Sequence, residues 1–483
     1  MPRELPLKDH ITYFGYGRNM DDPTKLLDIG IPDEYRSGHV FVSGSTRSGK
    51  TGLAENIIEQ DIRKNYNVFL IDPKTDQGVV EKIIQTAIAV GRFDDLLYIN
   101  PMYPEISNTV NPLSHWFAEE EIVGHCISGI KEGKDPFFRN IAKDITSSVV
   151  EFIALHARLG KMGRAVYTFN EIANGVSSAG LGKLAAQLKE GTNNELPEVK
   201  NLLGKMEQTL AYGAETYGKV ASSLQVAMHE LTSGNIGRIV GSGRNNKFIS
   251  RINQGKGVIL IMQLGSLVIQ DAAKTLAKVL LSMIMCYAGT VMGSRPRQLD
   301  RPLCIHIDEA QSVMFQALDE AYAKVGASNI WITSYVQDNT QVRAEMGPDR
   351  ARAIIANHNT KIFLRSPEEE GASMIANHFG VKKGLSAILG FNSITTREVE
   401  EPFLQPFDII SLPKREFYMV TYADDTSIKG RYHGYTHELS ERVMSIEYPI
   451  MPQELEYHDD IDANNTEIGP GEVLDVKPGK LEG

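Results

Sequence analysis

Residues Gly44-Ser45-Thr46-Arg47-Ser48-Gly49-Lys50-Thr51 fit G-x-x-x-x-G-K-[ST], a loop whose chemistry is the cradling of a polyphosphate. Glycines at 44 and 49 let the backbone bend so that successive N–H groups face the phosphates, helped by the N-terminus of the helix that follows. In that scheme Lys50 reaches the β and γ phosphates and the Thr51 hydroxyl ligates Mg²⁺. A second constellation, Asp308-Glu309, closes an apolar run at 303–307. Asp308, at a strand end, is placed to hold Mg²⁺ through water, and Glu309 to orient or deprotonate the attacking water. Two acids at a helix start also complement its dipole; a P-loop in the same chain favours the catalytic reading. Gln337 ends the next strand, where a polar side chain can sense a γ-phosphate or simply cap a helix.

These residues need a particular scaffold, and the flanking sequence supplies it. Residues 39–43 are apolar and β-prone, as a buried parallel strand should be. In residues 52–63, Leu53, Ile57, Ile58 and Ile62 fall about one helical turn apart. Further strands are expected at 67–71, 96–99, 257–261, 303–307, 330–334 and 361–364, alternating with helices. Alternation of this kind predicts a parallel sheet covered by helices on both faces. Asp72-Pro73-Lys74 ends the second strand at the carboxyl edge, where ligands of such sheets bind.

From 119 to 235 the pattern is helical, with no convincing strand. Phe137, Phe138, Ile141, Ile145, Val149, Phe152 and Ile153 make one apolar stripe, read as core. The expected organisation is therefore a turn-rich lead-in (1–37), an α/β domain split between 38–118 and 236–440, an all-helical insertion (119–235), and an acidic tail (451–483). After a helix at 367–379 the sequence reads as less regular to about 435.

The formal net charge of −11 is unlike that of a basic protein coating duplex DNA. Cys126, Cys286 and Cys304 form no CxxC pair, which argues for a reducing compartment and against a disulfide framework or a zinc site. The first 20 residues lack the apolar core of a secretory signal. Residues 275–292 come nearest to a membrane span, but Lys278 and a one-sided apolar face predict a buried core helix, so no transmembrane segment is expected.

The P-loop, the Asp72-Pro73-Lys74 strand end, Asp308-Glu309-Ala310, Gln337-x-x-x-Gln341, residues 360–365 and the closing Pro406-Phe407-Asp408-Ile409-Ile410-Ser411-Leu412-Pro413 come in a telling order. That order resembles the TraD/TraG-type coupling proteins of conjugative type IV secretion, relatives of the FtsK/HerA translocases. The resemblance spans roughly residues 38–420 and includes the helical insertion. It implies a RecA-like motor domain with a mostly parallel central sheet and an inserted all-α domain. It also implies a hexameric ring that uses ATP and Mg²⁺ to deliver single-stranded DNA or a relaxase–DNA complex to secretion-channel components at the inner membrane. The location implied is cytoplasmic, at or beside that membrane. Alternatives are a HerA/FtsK-like duplex DNA translocase, or a nucleotide-gated docking platform with weak hydrolysis. Family members often carry a Gly-Arg pair whose arginine reaches the neighbouring subunit's nucleotide; here residues 323–328 hold no arginine, leaving Lys324, Arg343 and Arg365 as candidates.

Overall fold

The computed structural model describes residues 10–130, 136–212, 214–241, 243, 245–315, 318–390, 393–422 and 430–446; the acidic stretch 451–483 lies outside them. The strands in chain order are β1 (Ile11–Asn19), β2 (Leu26–Pro32), β3 (Val40–Ser43), β4 (Asn67–Asp72), β5 (Leu96–Ile99), β6 (Ile259–Gln263) and β7 (Leu303–Ile307). They continue with β8 (Ile330–Val336), β9 (Thr360–Phe363), β10 (Val381–Gly390), β11 (Ser393–Pro402), β12 (Glu416–Thr421) and β13 (Gly430–Tyr435). Among the described residues, eleven strands make one sheet in the order β2-β1-β13-β12-β9-β3-β8-β7-β4-β6-β5, and β10 pairs with β11 as a separate hairpin.

The half from β9 to β5 is parallel throughout. Its central strands β3, β4, β6, β7, β8 and β9 are buried at every position, as strands covered on both faces must be. Two strand neighbours matter for chemistry. The P-loop strand β3 lies between β9 and β8, and β8 separates it from β7, the strand that ends at Asp308.

The other half is antiparallel: β12 on β9, β13 on β12, β1 on β13 and β2 on β1. This corrects two expectations. The segment read as a turn-rich lead-in contains two paired strands, and the region read as irregular beyond 379 holds a hairpin and two sheet strands. The glycines that suggested turns serve close backbone packing: a Cβ on Gly15 would lie 2.2 Å from the carbonyl oxygen of Tyr435.

The P-loop helix (Lys50–Arg63) is buried on its apolar face through Leu53, Ile57, Ile58 and Ile62, each contributing about 1.5–3 kcal/mol. Its polar face is buried as well. Gln60 exchanges two 2.8 Å hydrogen bonds with the backbone of Tyr13 in β1. Glu59 accepts from Lys82 of the next helix (Gln77–Ala89) at 2.9 Å. Asp61 pairs with the fully buried Arg36, whose second guanidinium nitrogen donates at 2.9 Å, and His306 of β7 faces the same carboxylate at 2.9 Å. The segment before β3 thus locks the helix that carries Lys50.

Between β5 and β6 the described residues form helices, among them Glu119–Ser128, Pro136–Leu159, Pro197–Leu210 and Ala214–Thr232. Ile141, Ile145 and Val149 of the expected stripe are buried, but Phe137 and Phe138, at its start, are 48% and 43% exposed. The Asp271–Gly293 helix is long and apolar enough to cross a membrane. It packs instead as a core helix: Leu276, Val279, Leu280, Met283 and Ile284 are buried.

Candidate functional site

The P-loop lies at the carboxyl end of β3 and is fastened to both neighbouring strands. The Gly44 N–H donates to Val336 O (3.1 Å) at the end of β8, and the Ser45 N–H to Arg365 O (2.9 Å) just beyond β9. Gly49 has φ +113°, a conformation that disfavours any side chain, and a Cβ there would sit 3.0 Å from the backbone of Arg415. Arg415 itself donates its N–H to Ser48 O at 2.7 Å, closing the loop from outside. Its guanidinium pairs with Glu438 at 2.5 Å.

Lys50, the first residue of the helix, is 8% exposed, and its ammonium has no hydrogen-bond partner. The Ser48 hydroxyl is likewise buried and unpaired. Burial pushes the Lys50 amine below its ordinary value, with Lys74 adding to the shift, while Asp308 and Glu309 oppose it. An unpaired buried ammonium beside a glycine loop is costly on its own and is satisfied by an anion. The residues present therefore fit a polyphosphate. Thr51 is exposed at the same helix start.

Across β8, the ends of β4 and β7 bring carboxylates together. The Asp308 N–H bonds to Ile71 O (2.9 Å), extending the β4–β7 ladder by one step. Asp72, at the end of β4, accepts from the N–H groups of Lys74 (2.9 Å), Thr75 (3.1 Å) and Asp76 (2.5 Å). Burial, reinforced by Asp308, raises its carboxyl to about 6 against these bonds. Glu309 takes a left-handed backbone, φ +45°, which turns its carboxylate onto the Lys74 ammonium at 2.5 Å and the Gln337 amide. Burial works against the charge on Glu309, but Lys74 and Gln337 outweigh it and hold the group below its ordinary value. Glu309 is thereby held in its ionised form near neutral pH.

Lys50, Asp308, Glu309 and Gln337, hundreds of residues apart in part, thus meet at one edge of the sheet. Gln341 accepts from Gln311 at 3.0 Å, tying the segment after Gln337 to that after Glu309. Of the cations considered for a neighbouring subunit's site, Lys324 pairs with Glu320 (3.1 Å) and precedes β8, so it lies at the opposite edge from the P-loop. Arg343 pairs with Glu370 (3.0 Å), and the Arg365 backbone touches the chain's own loop. Two residues were missed by sequence reasoning. Lys74 was visible only as part of a strand end, and Arg415 carried no local signal. Arg47, Thr75, Glu309 and Arg415 all have positive φ, a strain of about 1–2 kcal/mol each that surrounding structure must impose.

Residues 19–442 match the family described as type IV secretory system conjugative DNA transfer. The chain belongs to this family. Among curated proteins it is 30% identical over 112 residues to the type 4 coupling protein DotL of Legionella pneumophila; the match covers 21% of this chain and 14% of that relative. Among solved structures it resembles the bacterial conjugative coupling protein TrwBdeltaN70 (TM-score 0.60, 16% identity, 85% of this chain and 87% of that one). It also resembles the plasmid coupling protein TrwB in complex with ADP and Mg²⁺ (TM-score 0.58, 15% identity, 91% and 90%). At these identities the likeness establishes the RecA-like fold of this conjugative DNA transfer family member.

Proposed function

We propose that this chain is a ring-forming ATPase that couples ATP hydrolysis to the delivery of DNA, or of a relaxase–DNA complex, to a type IV secretion channel. The observation that carries the reading is the buried, unpartnered Lys50 ammonium within the electrostatic reach of Asp308 and Glu309, in a member of the conjugative DNA transfer family. The loop 44–51 holds the phosphates, with Lys50 on the β and γ groups. Thr51 and, through water, Asp308 would hold Mg²⁺, which would neutralise charge on the phosphate oxygens. Glu309 takes the proton of the attacking water, and Gln337, bonded to Glu309, links the base to the γ-phosphate position. The relative crystallised with ADP and Mg²⁺ supports this nucleotide and metal. The helical insertion, 119–235, is assigned to cargo or channel contact and the ring to self-association as a hexamer, with DNA in a locally basic channel despite the acidic net charge.

The test is ATP turnover by the purified chain, with and without single-stranded DNA. Lys50→Ala abolishes nucleotide binding. Glu309→Gln keeps binding but loses about 10²–10⁴-fold in kcat. Wild-type turnover left intact in both variants refutes the mechanism. Turnover driven only by duplex DNA transfers the assignment to a HerA/FtsK-like translocase.

A further inference from the structure

Far from the nucleotide edge, Glu121, His125 and Cys286 place one ligand atom each within 4.8 Å of one another. Glu121 and His125 lie one turn apart on the first helix of the insertion (Glu119–Ser128), and Cys286 lies on the Asp271–Gly293 helix packed against it. His125 is fully buried, yet its Nε2 has no hydrogen-bond partner. Its other nitrogen is engaged: Nδ1 lies 2.9 Å from the hydroxyl of Ser282, one turn before Cys286. With the proton on Nδ1, that bond holds the ring and leaves the Nε2 lone pair, buried and unpartnered, available to a ligand, as outer partners do for metal-binding histidines. Glu121 spends Oε1 on the N–H groups of Phe117 (3.1 Å) and Ala118 (3.0 Å), which anchors the carboxylate and leaves Oε2.

We propose that Glu121, His125 and Cys286 form a Zn²⁺ site that clamps the helical insertion to the motor core. The donor set of one thiolate, one imidazole and one carboxylate suits zinc better than a hard cation such as Mg²⁺. Bonds of about 2.0–2.3 Å at tetrahedral angles require ligand atoms roughly 3.3–3.8 Å apart, so side-chain adjustments of about 1 Å complete the site. The fourth position is left to water. Cys286 lines a cleft of about 390 Å³ that also reaches Gly124, Ser282 and Gly289, so the thiol side of the cluster borders open space. Zinc binding at Cys286 releases the thiol proton to solvent. The sequence argument against zinc rested on local spacing, and a ligand 161 residues beyond its nearest partner leaves no such spacing (286 − 125).

Titrating the full, nucleotide-free chain with Co²⁺ tests the site. One equivalent is expected to give tetrahedral d–d absorption and a thiolate-to-cobalt charge-transfer band. Cys286→Ser abolishes that band, Ser282→Ala weakens binding about tenfold, and Cys126→Ala, at the neighbouring thiol outside the cluster, leaves the band in place. Zn²⁺ added to wild type raises Tm, and the rise is absent in Cys286→Ser. No thiolate band in wild type, or a band that survives Cys286→Ser, overturns the proposal. Because the measurement involves no nucleotide, its failure leaves the ATPase reading untouched.

Discussion

Replacing Lys74 with methionine should move the acid limb of ATP turnover rather than simply lower it. The Lys74 ammonium lies 2.5 Å from Glu309 Oε1. At that separation two unit charges interact by about 7 kcal/mol at an effective dielectric of 20, and by about 2 kcal/mol in water. The Lys74 side chain is 43% exposed and that of Glu309 19%, so solvent screening brings the working figure to about 1 kcal/mol. The sign follows from the site. Glu309 sits below its ordinary value because Lys74 and Gln337 outweigh burial. Without the lysine, burial dominates and the carboxyl titrates higher. Since the base works ionised, the acid limb of kcat/KM for ATP should shift upward in Lys74→Met, with activity largely recovered at higher pH. The assay is a pH profile of kcat/KM for both proteins. A uniform loss at every pH, with the limb unmoved, would show that Lys74 does not hold the charge on Glu309.

Three further outcomes are expected. Arg36→Met leaves Asp61, buried on the P-loop helix, without its cation and should cost about 3–5 kcal/mol in urea denaturation, most of it regained in Arg36→Met/Asp61→Leu. His39 is buried with Nε2 on Tyr322 O (2.8 Å) and Nδ1 accepting the Ile332 N–H (3.1 Å), and burial lowers it to about 4. Its folded value lies below the unfolded one, so its contribution is full above pH 6.5 and lost as pH falls toward 4, about 3 kcal/mol for His39 alone. Thermal melts across that window should show a shallower slope in His39→Asn. Gly49→Ala, forced into φ +113° with the Arg415 backbone 3.0 Å away, should weaken nucleotide binding at least tenfold by equilibrium titration while the chain stays folded.

The parallel half of the fold was legible because strands buried on both faces read as unbroken apolar runs; β5 and β7 begin and end at the expected residues. The antiparallel half was not. β13 reads Gly-Arg-Tyr-His-Gly-Tyr, and its Gly434 sits where a Cβ would meet Ile29 and Phe417, so the strand owes its state to neighbours rather than to its own pattern. Phe137 and Phe138 fit the apolar stripe by spacing, yet at the start of their helix they are 48% and 43% exposed. In the site, the strand-end acids and the loop carried signals within a few residues. The Lys74–Glu309 pair did not, since only the adjacency of β4 and β7 brings together two residues 235 positions apart (309 − 74).

That adjacency also explains why a glutamine at the end of β8 matters. Strands lie about 4.8 Å apart, so the ends of β3 and β7, with β8 between them, are separated by roughly 10 Å. Lys50 and Glu309 thus start from strand ends two positions apart in the sheet, on either side of β8. Gln337 occupies the end of the intervening strand and is already bonded to Glu309. The same amide is joined through the backbone to the Asn339–Met346 helix, whose Gln341 bonds Gln311 beyond the β7 end. On the ATPase reading, a change in what Gln337 contacts is passed to Glu309 by a hydrogen bond and to the following helix by the chain itself, so one side chain connects the phosphate end of the site to both the base and the surface beyond it.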